Sequence, residues 1–145
     1  MSGIVVGVDG SSHSQNALDW AIDESALRRA PLTALAVVPV ASSIWGVSPL
    51  HYPADEDLRA EVQQSIEETV HKAVASHGGQ AAVTVRVITG LPADELIKAS
   101  ADADLMVVGA RGMGGFGRLL LGSVGSQVSH HAHCPLVVVP GERAH

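Results

Sequence analysis

Residues 109–123 read GARGMGGFGRLLLGS. Glycines stand at 109, 112, 114, 115, 117 and 122, Arg111 and Arg118 lie near the two ends of the cluster, and Ser123 follows the last glycine. These residue types in this order suit an anion. Glycine lets backbone N–H groups approach a ligand closely and turn toward it. A helix opening at Ser123 would aim free N–H groups near Gly122, Ser123 and Val124, with its dipole, at a negative charge. The Ser123 hydroxyl adds a donor, and Arg111 or Arg118 could supply positive charge. Glycine content alone suits a solvated connection equally well.

Two nucleotide motifs are nearly matched and both fail. Gly112, Gly114 and Gly117 spell G-x-G-x-x-G, yet they do not open a helix directly. No acidic residue follows about twenty positions on to hold a ribose. Gly117 to Ser123 has the spacing of a phosphate loop, with serine where that loop needs lysine. A fast phosphohydrolase also needs a carboxylate to hold metal and a positioned base. The stretch 109–124 contains no acid, so turnover is expected to be slow or absent.

Asp9, after the apolar run IVVGV (4–8), is the other candidate. An aspartate there serves as a turn or cap residue or as a ligand contact. Ser11 and Ser12 read as caps. The segment HHAHC (130–134) holds three histidines and Cys134. Adjacent His130 and His131 point in different directions on a helix, so surface histidines are the expectation and no metal site is assigned. Cys134 reads as a small buried residue.

The totals narrow the classes. The chain has 145 residues, one cysteine and a formal net charge of −6. That length suits a single domain over 1–145, and 46% apolar content suits a globular one. The charge argues against a nucleic-acid or anionic-membrane binder. A lone cysteine fits a reducing cytoplasm. No apolar run approaches the roughly 20 residues of a membrane span, and no signal peptide is expected.

Apolar runs at 4–8, 32–38, 104–110 and 135–139 read as buried strands, and the alternating run 82–88 as an outer one. Helical periodicity predicts helices over 14–29 and 55–77, with shorter ones over 92–101 and 123–132. The uncharged segment 40–54 reads as a long loop, a lid or partner surface, with Trp45 and Tyr52 packed on the sheet. Strands and helices alternate, which predicts a parallel sheet with helices on both faces. The last strand is apolar throughout. At a sheet edge it would need a cover, and we expect a homodimer through Leu136, Val137, Val138 and Val139.

The spacing Gly109-x2-Gly112-x9-Gly122-Ser123 resembles the nucleotide-binding signature of the universal stress protein family. The resemblance spans the chain: GIVVGVDGS at the start, ALAVV, GLPADELIKASADADLMVVGARG in the middle, and LLLGSVGSQVSHHAHCPLVVV at the end. It implies a doubly wound α/β fold with a five-stranded parallel sheet of order 3-2-1-4-5, dimerisation through the last strand, and an adenine nucleotide, ATP with or without Mg2+, or cyclic AMP. It further implies that Gly7, Val8, Asp9 and the backbone of Val37 hold the adenosine part. Gly109, Ala110, Arg111, Gly112, Met113, Gly114 and Gly115 would wrap ribose and phosphates, and Gly122, Ser123 and Val124 would take the phosphate end. The expected role is a stress-response sensor or regulator, at most a weak ATPase. The runner-up is an interaction module with a vestigial nucleotide site.

Overall fold

The computed structural model describes residues 3–39, 55–110 and 123–141. The expected lid at 40–54, with Trp45 and Tyr52, and the centre of the glycine stretch lie outside the described residues. Chain order is β1 (Ile4–Gly7), α1 (Ser12–Arg28), β2 (Leu32–Pro39), α2 (Asp55–Ser76), β3 (Val83–Gly90), α3 (Pro92–Ser100), β4 (Leu105–Gly109), α4 (Ser123–His131) and β5 (Leu136–Val139). The five strands form one parallel sheet of order β3-β2-β1-β4-β5. This is the doubly wound topology the sequence resemblance implies.

The two faces of the sheet carry separate cores, and the alternation along each strand assigns them. Ile4 and Val6 of β1, Ala34 and Ala36 of β2 and Val107 of β4 face α1 and α2, meeting Leu18, Ala21, Ile22, Ile66, Val70 and Ala73. Val5, Leu35, Met106 and Val108 face the other way, onto Leu96 of α3 and Val128 of α4. Leu18, Ile22, Leu32, Leu35 and Met106 are fully enclosed. Each such side chain contributes roughly 1.5–3 kcal/mol. An exposed i,i+4 pair such as Arg28–Glu24, 2.7 Å apart, contributes only about 0.3–0.5 kcal/mol. Aliphatic packing therefore holds the helices on the sheet.

Helix α1 shows why local sequence sets these positions. Residues 14, 17, 18, 21, 22 and 25 are buried, the i, i+3, i+4, i+7 stripe of a core-facing helix. Ser11 is the N-cap, extended at φ −77° and ψ 161°, and its side chain accepts from the Ser14 N–H at 3.2 Å. The helix thus opens two residues before the expected start, and Ser12 is its first residue rather than a second cap. At the other end Arg29 adopts a left-handed φ of 52°, and the Ala30 N–H reaches the Ser25 carbonyl at 3.0 Å. Helix α2 ends in the same way on Gly78, at φ +100°, with the Gly79 N–H on the Val74 carbonyl at 2.8 Å.

Strands β3 and β5 are the sheet edges. β3 presents Thr84 and Arg86 to solvent and turns Val83, Val85 and Val87 toward α2. Every residue of β5 is half-buried. Cys134, expected to be buried, is instead partly exposed. It lies just before the edge strand and packs only in part against the second core. No helix among the described residues is long and apolar enough to cross a membrane.

Candidate functional site

β1 and β4 are neighbours in the sheet, paired Val6 to Val107, but their following helices cover opposite faces. Such a divergence opens a crevice beyond the carboxyl ends of the strands. Gly7, Val8 and Asp9 stand on one side of it, and Gly109 and Ala110 on the other. β2 forms a wall. Gly7 pairs with Leu35, the Val8 N–H donates to the Leu35 carbonyl at 2.9 Å, and β2 continues to Pro39. Val37 therefore lies past the end of β1, half-buried against the α3 and α4 face.

Asp9 is exposed at the mouth of the crevice. Its Oδ1 accepts from the Ser11 N–H at 2.9 Å, and its own N–H donates to Ser14 Oγ at 3.2 Å. Asp9 thus shapes the turn that launches α1, whatever else its carboxylate meets.

The strand ends on the β4 side are tightly fitted. The Ala110 N–H donates to the Val139 carbonyl at 2.8 Å, and Ala110 is buried. A Cβ at Gly109 would stand 2.7 Å from both the carbonyl carbon and oxygen of His13. Glycine at 109 lets the first turn of α1 approach the end of β4. The His13 ring lies against Gly141, and its buried Nδ1 has no hydrogen-bond partner among the described residues. Sequence reasoning missed His13. The one available signal was that a glycine at a strand end can serve helix–strand packing as well as ligand approach.

Across the sheet, α4 starts at exposed Ser123, with Val124 packed partly into the second core. Because the sheet is parallel, this N-terminus stands at the same end as Gly7 and Gly109. Its first-turn N–H groups, which have no partner within the helix, and its positive dipole end favour an anion there. Of the residues named from sequence, Gly7, Val8, Asp9, Val37, Gly109, Ala110, Ser123 and Val124 come to this end of the sheet. Arg111, Gly112, Met113, Gly114, Gly115 and Gly122 lie outside the described residues.

The histidine-rich segment is elsewhere. His130 and His131 are exposed, with ring centroids 6.4 Å apart at 63°. No group of three or more His, Cys, Asp or Glu residues that could hold a metal ion occurs among the described residues. Burial pushes the Cys134 thiol above its ordinary range, a neighbouring Asp104 adds to the rise, and a backbone hydrogen bond from Met106 opposes it.

The profile of the universal stress protein family matches residues 1–140. A universal stress protein of Mycolicibacterium smegmatis is 37% identical over 143 residues, covering 97% of this chain and 48% of that protein. One from Mycobacterium tuberculosis is 33% identical over 146 residues, covering 98% of this chain and 49% of its own. The chain thus spans about half the length of these curated relatives. Among solved structures, the universal stress protein UspA from Lactobacillus plantarum superposes with a TM-score of 0.78 at 28% identity, over 96% of this chain and 97% of that one. A universal stress protein in complex with cAMP gives 0.63 at 25% identity, over 96% and 95%. The Archaeoglobus fulgidus protein in complex with dAMP gives 0.64 at 20% identity, over 95% and 97%, a likeness of fold. This chain belongs to the universal stress protein family.

Proposed function

From its place in the universal stress protein family and the crevice between β1 and β4, we propose that this chain binds an adenine nucleotide, ATP or cyclic AMP, and acts as a stress-response sensor or regulator. The observation that carries the reading is the convergence of the Gly7–Asp9 turn, the Gly109 strand end and the α4 N-terminus at one end of the sheet. Adenosine would rest on Gly7, Val8, Asp9 and the Val37 backbone. Ribose and phosphates would lie along 109–115, ending on Gly122, Ser123 and Val124. The complex of a family member with cAMP supports an adenine ligand.

The donor set fits a phosphate better than it fits a catalytic metal. One oxygen of the Asp9 carboxylate already holds the α1 turn. Mg2+, where present, arrives on the nucleotide's own phosphates. Hydrolysis is accordingly slow or absent. The apolar β5 edge, Leu136 to Val139, pairs with a second copy to make a homodimer, checked by light scattering.

One observation favours a second reading, an interaction module with a vestigial site. Gly109 and Asp9 each have a structural duty that needs no ligand. Calorimetric titration with Mg-ATP, and with cyclic AMP in parallel, separates the two. Saturation near one nucleotide per chain, lost in a folded Gly122→Val variant, supports the nucleotide sensor. No heat from nucleotide-free protein supports the module. Phosphate release from Mg-ATP, abolished by the same substitution, would establish a slow ATPase.

A further inference from the structure

His77, the residue just beyond α2, sets its ring between two carboxylates of α1. Nδ1 is 2.8 Å from Asp23 Oδ1, and Nε2 is 3.3 Å from Asp19 Oδ1. A neutral imidazole has one N–H donor and one lone pair. Facing two carboxylates, it would donate to one and set its lone pair against the negative oxygen of the other. Imidazolium donates to both. The arrangement is matched to the cation.

The surroundings agree. Asp19 and Asp23 are four residues apart on one face of α1, a like-charge spacing that disfavours the helix when nothing neutralises it. His77 also stands at the C-terminus of α2, its N–H on the Ala73 and Val74 carbonyls at 3.2 and 3.1 Å. That is the negative end of the helix dipole, where a cation is favoured. Gln15 donates to the same Asp19 oxygen at 3.4 Å, a long contact that adds little.

We propose that His77, Asp19 and Asp23 form a proton-operated clasp between α1 and α2, holding both carboxylates when the imidazole is protonated and weakened to a single hydrogen bond when the proton leaves. Asp19 and Asp23 are the charged groups that face the ring from α1, and no other charged group among the described residues shifts it. The hydrogen bond to Asp23 is the main cause raising the His77 pKa above its ordinary 6.5. Desolvation opposes the rise, and the Asp23 charge and Asp19 add to it.

The sign follows from the raised value. The contribution is fully present below the unfolded pKa of 6.5 and is lost as pH rises through the higher folded one. At the acid end it fades when the carboxylates take up protons. The clasp is therefore tight in mild acid and weakened in mild alkali. It acts at the far end of α2 from the nucleotide crevice, beside the half-buried Val74, Ala81 and Val83. Its weakening loosens the end of the helix that covers β2 and β3. This device stands whether or not a nucleotide binds.

The experiment is a proton NMR titration of the imidazole signals of the full chain, with the His77 signal identified by its disappearance in His77→Gln. It is paired with thermal unfolding of both proteins at pH 5.5 and 8.5. His77 should titrate above 6.5. The wild type should exceed the variant in Tm by about 2–4 °C at pH 5.5, with a smaller difference at pH 8.5. In Asp23→Asn the His77 pKa should fall toward its ordinary value, a change that a packing role for the ring would not produce. Titration at or below 6.5, an equal Tm difference at both pH values, or an unmoved pKa in Asp23→Asn would each overturn the proposal.

Discussion

Replacing Gly109 by alanine separates the two duties that this residue can have. The added Cβ would lie 2.7 Å from the His13 carbonyl carbon and oxygen and 3.0 Å from the His13 Cβ, where ordinary contact begins at 3.4 Å. Two of these atoms are backbone in the first turn of α1, held from beneath by the Gln15 N–H on the Ser11 carbonyl at 3.0 Å. They cannot swing aside as a side chain can, so α1 must retreat from β4 by roughly 0.7 Å to restore contact. Overpacking of this kind costs about 1–3 kcal/mol. At about 2–4 °C per kcal/mol, that is a Tm lower by roughly 2–12 °C. Gly7→Ala is the control. Its Cβ meets only side-chain methyls, the nearest being Leu96 Cδ2 at 3.4 Å, and alanine in a strand loses less chain entropy than glycine. Its Tm should stay level or rise slightly, while a nucleotide titration reads any loss of ligand space. The assay is thermal unfolding by circular dichroism on ligand-free protein. A Gly109→Ala variant with wild-type Tm would refute the claim that α1 packing requires glycine there.

Three further substitutions and reactions test the local reasoning. Ser11→Ala removes the cap on α1 and should destabilise the fold by about 1 kcal/mol in urea unfolding; an unchanged midpoint would mean that the Asp9 turn caps the helix by itself. Arg29→Gly relieves a left-handed residue at φ 52° and should stabilise by about 1 kcal/mol in the same assay, with a lower midpoint counting against backbone strain. Cys134 should react with iodoacetamide at pH 8 more slowly than a free cysteine peptide, because burial raises its pKa and the thiolate is the nucleophile; an equal or faster rate would contradict that shift.

The fold was readable because its signals are local and repeated. Ile4 to Val8 and Leu105 to Val108 are apolar without alternation, as strands covered on both faces must be, whereas Val83 to Val87 alternates and lies at an edge. The boundaries were less readable. β3 runs on to Gly90 because Thr89 and Gly90 pair with Val38 and Pro39, a backbone pairing that no hydropathy pattern encodes. Ser11 and Ser12 have equal capping chemistry. Gly10, at φ +84°, delivers Ser11 in the extended conformation that a cap needs, and this conformation is invisible in residue type.

The candidate site was legible in its residue types and much less in the structural duties of those residues. Asp9, Gly109 and Ser123 could be named because turn, glycine and cap chemistry belong to single residues. His13 could not, because its part comes from the contact of the first turn of α1 with a strand end near the other end of the chain. The clasp at His77 was hidden for the same reason, its partners lying 54 and 58 positions away. A glycine at the end of a buried strand thus carries two messages in the same letter: room for a ligand and room for a helix. At Gly109 the helix is present and touching. Retention of glycine there would follow from packing alone, so this position cannot by itself argue for nucleotide. Loss of nucleotide binding in a Gly122→Val variant shown by circular dichroism to be folded would bear on the ligand more directly than any change at Gly109.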